Sequence, residues 1–354
     1  MESETKHGFH EFFAGSGLVS CGLLDSFRSV WANDVSERKA KVYRANFDPQ
    51  VLHVGDIADV EGSKLPAASL SWASFPCQDL SLAGNIEGIY SERSGLVWQW
   101  LRVLDEQGDA APRVICLENV SGLVSAHNGE DYRHLHQALA NRGYAVGAVL
   151  INASYFVPQS RPRVFVIGTK GPIPSCLLGD GPIWAHTPTL QKLAPTIDGF
   201  VWWNLPKPER RTQNIDDVVE QQVPFDKDDV ATLIPENHLR KLVESGRKYA
   251  TGYRRTRNGR QVLEIRCDGV AGCLRTPAGG SSRQYLVHRD KKGVHARLLT
   301  TREVARLMGA PDSFELPGTY NDGYFAMGDA VAVPVAKFLS DHLLTQLVEA
   351  AYAV

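Results

Sequence analysis

Short apolar runs alternate with amphipathic stretches along the first 170 residues of the chain. The apolar runs predict strands at 10–13, 30–32, 51–54, 71–74, 114–117 and 164–167. Between them, apolar residues three and four positions apart predict helices near 18–26, 37–46, 96–106 and 132–142. Strands that alternate with helices are typical of βαβ units, so this part of the chain predicts a mostly parallel sheet in an α/β fold.

The pattern changes after Gly168. Repeated prolines interrupt any long helix between 170 and 275, which predicts an irregular insert. Helical spacing returns at 302–308 and 333–348. We therefore expect one discontinuous large domain, residues 1–170 and 301–354, and a smaller irregular domain, residues 171–300.

Groups of residues that contain glycines, carboxylates or a cysteine follow five of the predicted strands. These groups are Ala14-Gly15-Ser16-Gly17, Asn33-Asp34, Gly55-Asp56, Phe75-Pro76-Cys77-Gln78 and Glu118-Asn119-Val120. In an open parallel sheet, ligands bind beyond the carboxyl ends of the strands. We expect the five groups to share one rim, where a glycine turn, three carboxylates and a thiol come together.

Each group has a functional interpretation beside a structural one. A glycine turn lets the backbone approach a ligand closely. Asp34 after the second strand suits ribose hydroxyls and Asp56 suits an adenine amino group, although either can instead be a helix N-cap. Cys77, which follows Pro76 at a strand end, is placed as a nucleophile that reacts as its thiolate, the alternative being a structural thiol.

Glu118 ends an apolar strand, so a partly buried carboxyl there can stay protonated and act as a donor or general acid. Arg161 and Arg163 flank Pro162 just before the last predicted strand. Their guanidinium groups can hold a carbonyl oxygen and orient Glu118. The alternatives are a salt-bridged carboxylate at the rim and a pair of surface arginines.

Charge is concentrated in one segment. The chain has 38 Lys and Arg against 40 Asp and Glu, but residues 239–302 hold 16 Lys and Arg against 4 Asp and Glu. Such a basic segment indicates a polyanionic partner, or else a solvated charged face. Arg254, Arg255, Arg257 and Arg260 alternate with polar residues, which suits phosphate and base-edge contacts.

Composition narrows the class of protein. Hydrophobic residues make up 43% and charged residues 22% of the 354 residues, as in soluble globular proteins. Six cysteines occur without a CxxC pair or zinc-ligand spacing, so we expect reduced thiols and no metal. The sequence shows neither an apolar run of about 18 residues nor a signal pattern, so we expect a cytoplasmic protein without a membrane span.

Five motifs then occur in a fixed order. They are Phe13-Ala14-Gly15-Ser16-Gly17, Phe75-Pro76-Cys77-Gln78, Glu118-Asn119-Val120, Gln159-x-Arg161-x-Arg163 and Gly328-Asp329-Ala330-Val331. Together they resemble the bacterial-type DNA (cytosine-5) methyltransferases over nearly the whole chain except the insert. The resemblance implies a Rossmann-like S-adenosylmethionine-dependent methyltransferase domain with a smaller target-recognition domain at 171–300. It also implies methyl transfer to C5 of a flipped cytosine in a specific duplex DNA sequence, through a covalent bond between a cysteine and C6.

The resemblance assigns roles by position. It implies cofactor contacts at Phe13, Gly15, Gly17, Asp34, Asp56, Ile57, Pro76, Leu96, Asp329 and Ala330. It implies a catalytic group of Cys77, Glu118, Arg161 and Arg163, with Glu118 at the cytosine N3 edge. It implies DNA contacts at Ser81, in a loop 81–93 that closes over DNA, and at Arg254, Arg255, Arg257 and Arg283. A monomer in a bacterial cytoplasm is expected, with double-stranded DNA as partner and a restriction endonuclease that cuts the same site.

Two departures from the family pattern bear on the cofactor. Asp329 and Ala330 replace the usual Asn and Ser, so contacts to the methionine end are expected to differ, and Val35 stands where an aromatic residue often stacks on adenine. Two alternatives stay open: a tRNA cytosine-5 methyltransferase, and a non-catalytic nucleic-acid binder with a relic cofactor site. A Cys/His hydrolase is disfavoured because no histidine is placed to activate Cys77.

Overall fold

A seven-stranded sheet forms the centre of the molecule in the computed structural model, which describes residues 6–75, 95–225, 229–276 and 283–353. Its strands are β1 (His7–Phe12), β2 (Phe27–Asp34), β3 (Leu52–Val54), β4 (Leu70–Ala73), β5 (Val114–Val120), β6 (Ala145–Asn152) and β7 (Pro162–Thr169). Their order is β3-β2-β1-β4-β5-β7-β6, and the first five are parallel. Strand β7 runs antiparallel to both neighbours.

Helices cover both faces of this sheet. The helices of the described residues are α1 (Leu18–Leu23), α2 (Glu37–Asn46), α3 (Leu96–Gln107), α4 (Gly122–Ser125), α5 (Glu130–Ala140), α6 (Pro188–Leu193), α7 (Glu236–Glu244), α8 (Thr301–Leu307), α9 (Tyr320–Gly328), α10 (Val333–Leu339) and α11 (Thr345–Tyr352), of which α7 packs on the small sheet described below. One apolar core contains side chains of α1, α10 and α11, and another contains those of α3 and α5. Because both faces are covered, central strands such as β4 are buried along their whole length, which explains their continuous apolar runs.

The chain reverses its direction of travel across the sheet between β1 and β4. From β1 it moves to β2 and β3 on one side, and then crosses to β4 and β5 on the other. The carboxyl ends of β1 and β4 therefore diverge at a topological switch point, where open α/β sheets leave a crevice for ligands. The expected mostly parallel α/β sheet is confirmed.

The main differences from the sequence prediction lie after residue 140. Strand β6 was not predicted, because Ala145, Gly147 and Ala148 are poor strand formers. Gly147 is required there, since a Cβ would lie 2.0 Å from the carbonyl oxygen of Val201. The helix predicted at 333–348 consists of α10, a π-helical turn (Ser340–Leu344) and α11.

The expectation of an irregular insert is wrong for its second half. Strands β8 (Tyr249–Arg257), β9 (Arg260–Arg266), β10 (Gln284–Asp290) and β11 (Gly293–Leu298) form an antiparallel sheet with the order β11-β10-β8-β9. Asn258 and Gly259, both with positive φ, make the two-residue turn between β8 and β9. This Asn-Gly pair was the sequence signal for the hairpin.

The small sheet has a core of its own, which includes Leu242, Leu263 and Val287. By contrast, Leu177 and Trp203 belong to the large core that also contains α10. The large core thus extends beyond residue 171, and the boundaries at 171 and 300 stay a prediction. Within the described part of the chain, no helix combines the length and apolarity needed to cross a membrane.

Candidate active site

A cavity of about 910 Å³ opens at the carboxyl ends of β1 to β5. Gly15, Asp34, Asp56, Phe75 and Glu118, one residue from each group that follows a predicted strand, all line it. The switch point between β1 and β4 thus brings the glycine turn, the three carboxylates and the exit of β4 to one cavity.

Asp34 fastens the glycine turn to the start of α2. Its Oδ2 accepts a hydrogen bond of 2.8 Å from the amide of Gly15, and its Oδ1 accepts one of 2.8 Å from the amide of Ser36. Each carboxylate oxygen keeps a second lone pair that can accept from a ligand. Asp34 therefore has both the structural and the cavity-lining position that its sequence context allowed.

Asp56 and Ile57 form another part of the cavity wall. The Asp56 Oδ1 accepts from the amide of Ala58 at 2.9 Å and so caps a short 3-10 turn, while Ile57 is buried. The Asn33 Nδ2 donates to the carbonyl oxygens of His53 and Gly55, both at 3.0 Å, and this holds the ends of β2 and β3 together.

Gly17 is not among the residues that line the cavity. Its φ is +82°, and a Cβ would lie 2.4 Å from the ring of Phe47 and 2.9 Å from that of Tyr43. Gly17 is therefore required for packing between α1 and α2. Val35, in contrast, lies at the cavity with 73% of its surface exposed.

Glu118 and Arg163 form a buried ion pair inside the cavity. The Arg163 Nε lies 2.8 Å from the Glu118 Oε1, and their side chains are 15% and 6% exposed. Burial raises the pKa of Glu118, whereas Arg163 and Arg161 lower it in part and the charge of Asp329 raises it further. The net upward shift favours a carboxyl that keeps its proton, and Arg163 fixes one of its oxygens.

The side chain of Asn119 holds the main chain directly after the end of β4. The Asn119 Nδ2 donates to the carbonyl oxygen of Phe75 at 3.0 Å, and its Oδ1 accepts from the amide of Val120 at 2.8 Å. The segment that begins at Pro76 therefore starts from a fixed point beside Glu118. Pro76, Cys77 and Ser81 themselves lie outside the described residues.

Arg161 does not pair directly with Glu118, in contrast to the expectation that both arginines orient this carboxyl. It is 1% exposed and absent from the cavity lining, and its Nη1 donates to the carbonyl oxygens of Leu274 at 2.9 Å and Gly328 at 3.2 Å. Arg161 therefore ties two loops together behind the cavity wall.

One of these loops, residues 271–276, is here called the wall segment. Its Cys273, Leu274, Arg275 and Thr276 line the cavity. The Tyr253 hydroxyl donates to the carbonyl oxygen of Cys273, and the Gln284 Nε2 donates to that of Gly272 at 2.9 Å. From the large domain, the Gln159 Oε1 accepts from the amide of Leu274 at 3.1 Å. The small sheet and the large domain thus hold the same stretch of cavity wall, which no local sequence pattern indicated.

Lys39 is a further cavity residue that sequence reasoning missed. Its Nζ lies 2.6 Å from the Oδ2 of Asp329 and 5.6 Å from the centre of the Phe325 ring. Asp329 and Ala330 also line the cavity, as does Leu96 at the start of α3. The pair joins residues 290 positions apart, so it has no local sequence signal.

A model of the family described as C-5 cytosine-specific DNA methylase matches residues 8–345. The chain belongs to this family. The Type II methyltransferase M.Bsp6I of Bacillus sp. (strain RFL6) is 27% identical over 337 residues, which cover 94% of this chain and 96% of the relative. The Type II methyltransferase M.HhaI of Haemophilus parahaemolyticus is 27% identical over 355 residues, which cover 96% and 94%.

Solved structures resemble this C-5 methylase family member in fold. The S. pombe Dnmt2 methyltransferase has a TM-score of 0.61 at 20% identity, with 95% of this chain and 97% of that chain covered. The Entamoeba histolytica methyltransferase EhMeth has a TM-score of 0.63 at 14% identity, with 99% and 98% covered.

The arginines that this methylase carries on β8 divide between the two faces of the small sheet. Tyr253, Arg255 and Arg257 alternate on the face whose tyrosine reaches the wall segment. Arg254 lies on the other face of the sheet. There it is the cross-strand partner of Leu263, a residue of the small sheet's core. The predicted contacts at Arg254, Arg255 and Arg257 therefore do not share one surface.

Arg283 lies directly before β10 and after residues 277–282, which lie outside the described residues. Its Nη2 donates to the Oδ1 of Asn321 at 2.6 Å, and its guanidinium lies 5.8 Å from the centre of the Tyr320 ring. Arg283 thus contacts α9.

The cavity of this methylase suits a nucleoside-sized cofactor. Its volume lies within the range of roughly 300–1,000 Å³ that is typical of small-molecule sites. Phe13, Ile57 and Leu96 provide apolar walls, and Asp56 provides a carboxylate. No cluster of possible metal ligands occurs among the described residues.

Proposed function

We propose that the protein transfers a methyl group from S-adenosylmethionine to C5 of a cytosine in a specific sequence of duplex DNA. The observation that carries the proposal is the buried Glu118–Arg163 pair, which shares one cavity with the glycine turn and the exit of β4. This arrangement places a group that can bind a pyrimidine edge next to walls that fit a nucleoside.

Glu118 acts on the N3 edge of the base. The upward shift of the Glu118 pKa favours the protonated carboxyl, and in that form Glu118 can donate a hydrogen bond to N3, which lowers the electron density of the ring at C6. Arg163 holds Glu118 from the other side, so that the carboxyl does not turn away from the base.

Cys77 supplies the nucleophile in this proposal. Its thiolate adds to C6, and the ring becomes an enamine with electron density at C5. Once C5 carries the new methyl group, a base such as water takes the C5 proton and the bond between C6 and the sulfur breaks. This elimination restores the double bond and releases the thiolate. When bound, S-adenosylmethionine supplies an electrophilic methyl group on a sulfonium.

Duplex DNA must give up the target base for this chemistry. Flipping a cytosine out of the stack costs roughly a few kcal/mol, which contacts to phosphates can offset. Arg255 and Arg257 lie on the face of β8 that carries Tyr253, and Arg257, which pairs with Glu264, would exchange this carboxylate for a phosphate when DNA binds. Binding is therefore expected to weaken steeply as the salt concentration rises.

The test is incubation with tritiated S-adenosylmethionine and either duplex DNA or tRNA. Label in DNA is expected. Label in tRNA alone would show that the substrate is RNA, and label in neither polymer would indicate a non-catalytic nucleic-acid binder. Cys77→Ala should abolish transfer and leave DNA binding intact. Duplexes with 5-fluorocytosine should trap a covalent adduct with the unmodified protein, because fluorine cannot leave as a proton does.

We further propose that the protein acts as a monomer in the bacterial cytoplasm, alongside a nuclease that cuts the same sequence. Expression in a host without DNA methylation, followed by bisulfite sequencing, would give the methylated sequence. Genomic DNA from that host should then resist the companion nuclease. Cleavage at fully methylated sites would reject the pairing of the two enzymes.

A further inference from the structure

The sulfur of Cys273 lies between two arginine side chains at the edge of the active-site cavity. The Arg161 Nη1 lies 3.5 Å from this Sγ, and the Arg163 Nη2 and Nη1 lie 3.9 and 4.0 Å from it. The thiol donates to the carbonyl oxygen of Leu274 at 3.4 Å, so the lone pairs of the sulfur remain for the guanidinium groups. Cys273 belongs to the wall segment and lines the same cavity as Arg163.

We propose that Cys273 is a positioning residue that holds the Arg163 guanidinium against Glu118 and so links the small sheet to the carboxyl of the active site. The inference rests on the proposed function, because it takes Glu118 as the group that binds the N3 edge of the base. Cys273 acts through Arg163 and not on the base itself.

Arg163 is held on three sides. Its Nε lies 2.8 Å from the Glu118 Oε1, and its Nη1 donates to the carbonyl oxygen of Pro162 at 2.8 Å. Pro162 precedes Arg163 in the chain, so this second bond ties the side chain to its own main chain. The third contact, from Nη2 to Cys273, is the one that comes from the wall segment. The sulfur therefore relates the position of the guanidinium to the position of the wall.

A fixed positive charge behind the sulfur gives this contact its importance. Arg161 is 1% exposed, and its Nη1 is held by the carbonyl oxygens of Leu274 and Gly328. Its Nε and Nη2 are buried without a hydrogen-bond partner among the described residues. Burial and then the charge of Arg163 lower the pKa of Arg161 to about 10, while Cys273 raises it in part. Without the sulfur, two cations would face each other with no acceptor between them, and the less buried Arg163 would turn away.

The main chain of Cys273 joins the wall segment to the small sheet. Its carbonyl oxygen accepts from the Tyr253 hydroxyl of β8. The Tyr253 ring lies 4.9 Å from the Arg255 guanidinium, on the face of the small sheet that we propose for phosphate contacts. Direct contacts therefore connect that face, through Tyr253 and Cys273, with the buried ion pair of the cavity. A shift of the small sheet on DNA would reach Glu118 through the sulfur.

The test measures single-turnover transfer of tritiated methyl groups to a duplex with the sequence found by bisulfite sequencing, between about pH 6 and pH 10. Cys273→Ala removes the sulfur, whereas Cys273→Ser also shortens the side chain but keeps an atom that accepts hydrogen bonds. Cys267→Ala is the matched control, because Cys267 is half-buried like Cys273 but follows β9 outside the cavity lining. Thermal unfolding of each variant checks that it is folded.

Cys273→Ala should lower the rate at neutral pH by about ten- to a hundredfold, because Glu118 loses its fixed orientation. Burial raises the pKa of Glu118 and Arg163 opposes this shift, so displacement of Arg163 lets that pKa rise further. The decline of the rate at high pH, where Glu118 loses its proton, should therefore move to higher pH. Cys273→Ser should lose less, and Cys267→Ala should match the unmodified protein.

A double variant tests the route from the small sheet. If Tyr253 acts through Cys273, the Tyr253→Phe/Cys273→Ala protein should be no slower than Cys273→Ala alone. Losses that multiply in the double variant would show that the two residues act separately, and the proposed link to the small sheet would be wrong.

Urea unfolding gives a measurement that does not need activity. Glu118 lowers stability as pH rises above its unfolded pKa, and displacement of Arg163 enlarges this penalty. Between about pH 5 and pH 8, the free energy of unfolding of Cys273→Ala should therefore fall more than that of the unmodified protein or of Cys267→Ala. The excess should disappear when Glu118→Gln is also present.

A Cys273→Ala protein with the rate and the pH profile of the unmodified protein would overturn the inference while the proposed function stands. Equal losses in Cys273→Ala and Cys273→Ser with an unchanged pH profile would show that the side chain only fills space, which overturns it as well. If the unmodified protein methylates neither DNA nor tRNA, the proposed function fails, and the unfolding experiment then decides whether Cys273 holds Arg163.

Discussion

Removal of the guanidinium beside Glu118 should make the stability of the protein strongly dependent on pH. In Arg163→Met the aliphatic stem stays and the charge is lost, so the 6% exposed carboxyl loses its ion-pair partner. Truncation of one partner of a buried pair costs about 3–5 kcal/mol while the other partner is ionised. The hydrogen bond from the Arg163 Nη1 to the carbonyl oxygen of Pro162 is also lost, at about 1 kcal/mol.

The sign of the pH dependence follows from the direction of the pKa shift. Burial raises the pKa of Glu118 above its unfolded value of about 4.3, so the native state holds a proton that the unfolded state releases. The carboxyl therefore lowers stability as pH rises from the unfolded pKa to the native pKa. Loss of Arg163 raises the native pKa further, so the penalty extends to higher pH and becomes larger.

The assay is urea unfolding followed by tryptophan fluorescence at pH 5 and at pH 8. We expect Arg163→Met to lose about 1 kcal/mol at pH 5, from the hydrogen bond to Pro162 alone, and about 4–6 kcal/mol at pH 8, where the unpaired carboxylate adds its own cost. The double variant Glu118→Gln/Arg163→Met has no carboxyl to ionise and should lose the same small amount at both pH values. A loss for Arg163→Met that is equal at the two pH values would refute the reasoning.

Three further outcomes follow from the packing and from the small sheet. Gly17→Ala should lower the free energy of unfolding by about 2–4 kcal/mol in urea titrations, because the new Cβ meets Phe47 at a strained φ; a loss below 1 kcal/mol would contradict this. Arg257→Ala should reduce the slope of log K against log salt for DNA binding by about one, and Arg254→Ala, on the other face, should not; equal slopes would reject the assignment of faces. Tyr253→Phe should lower kcat on DNA more than DNA affinity, since it removes one of the hydrogen bonds that hold the wall segment, and an effect on affinity alone would argue against this link.

The rim of the large sheet was predictable because parallel strands buried on both faces are continuous apolar runs. The predicted helix at 37–46 coincides with α2, where Ser36 caps the start. Strand β6 was not predicted because small residues such as Gly147 are required there for Val201 and Trp203 to pack against the sheet. This requirement comes from tertiary contacts and not from the local sequence. The small sheet was not predicted because the prolines that precede it are typical of irregular structure, although the Asn258-Gly259 pair is a hairpin signal.

The candidate site likewise contains residues whose positions follow from the local sequence and residues whose positions depend on distant contacts. Glu118 follows its own strand, so its position could be inferred locally. Arg161 and Arg163 are two positions apart and looked equivalent, but Arg161 is drawn to carbonyl oxygens more than 100 positions away. The partners of Lys39 and of Tyr253 likewise depend on how distant segments meet.

The shared attachment of residues 271–276 limits how this enzyme can be re-engineered. A graft that replaces β8 to β11 with strands from another family member, made to test whether these strands set the target sequence, also exchanges the tyrosine and the glutamine that hold Cys273 and Gly272. A chimaera that lacks these two side chains would carry new strands next to a cavity wall that is no longer held in position. Chimaeras should therefore be cut so that Tyr253 and Gln284 travel with the recipient.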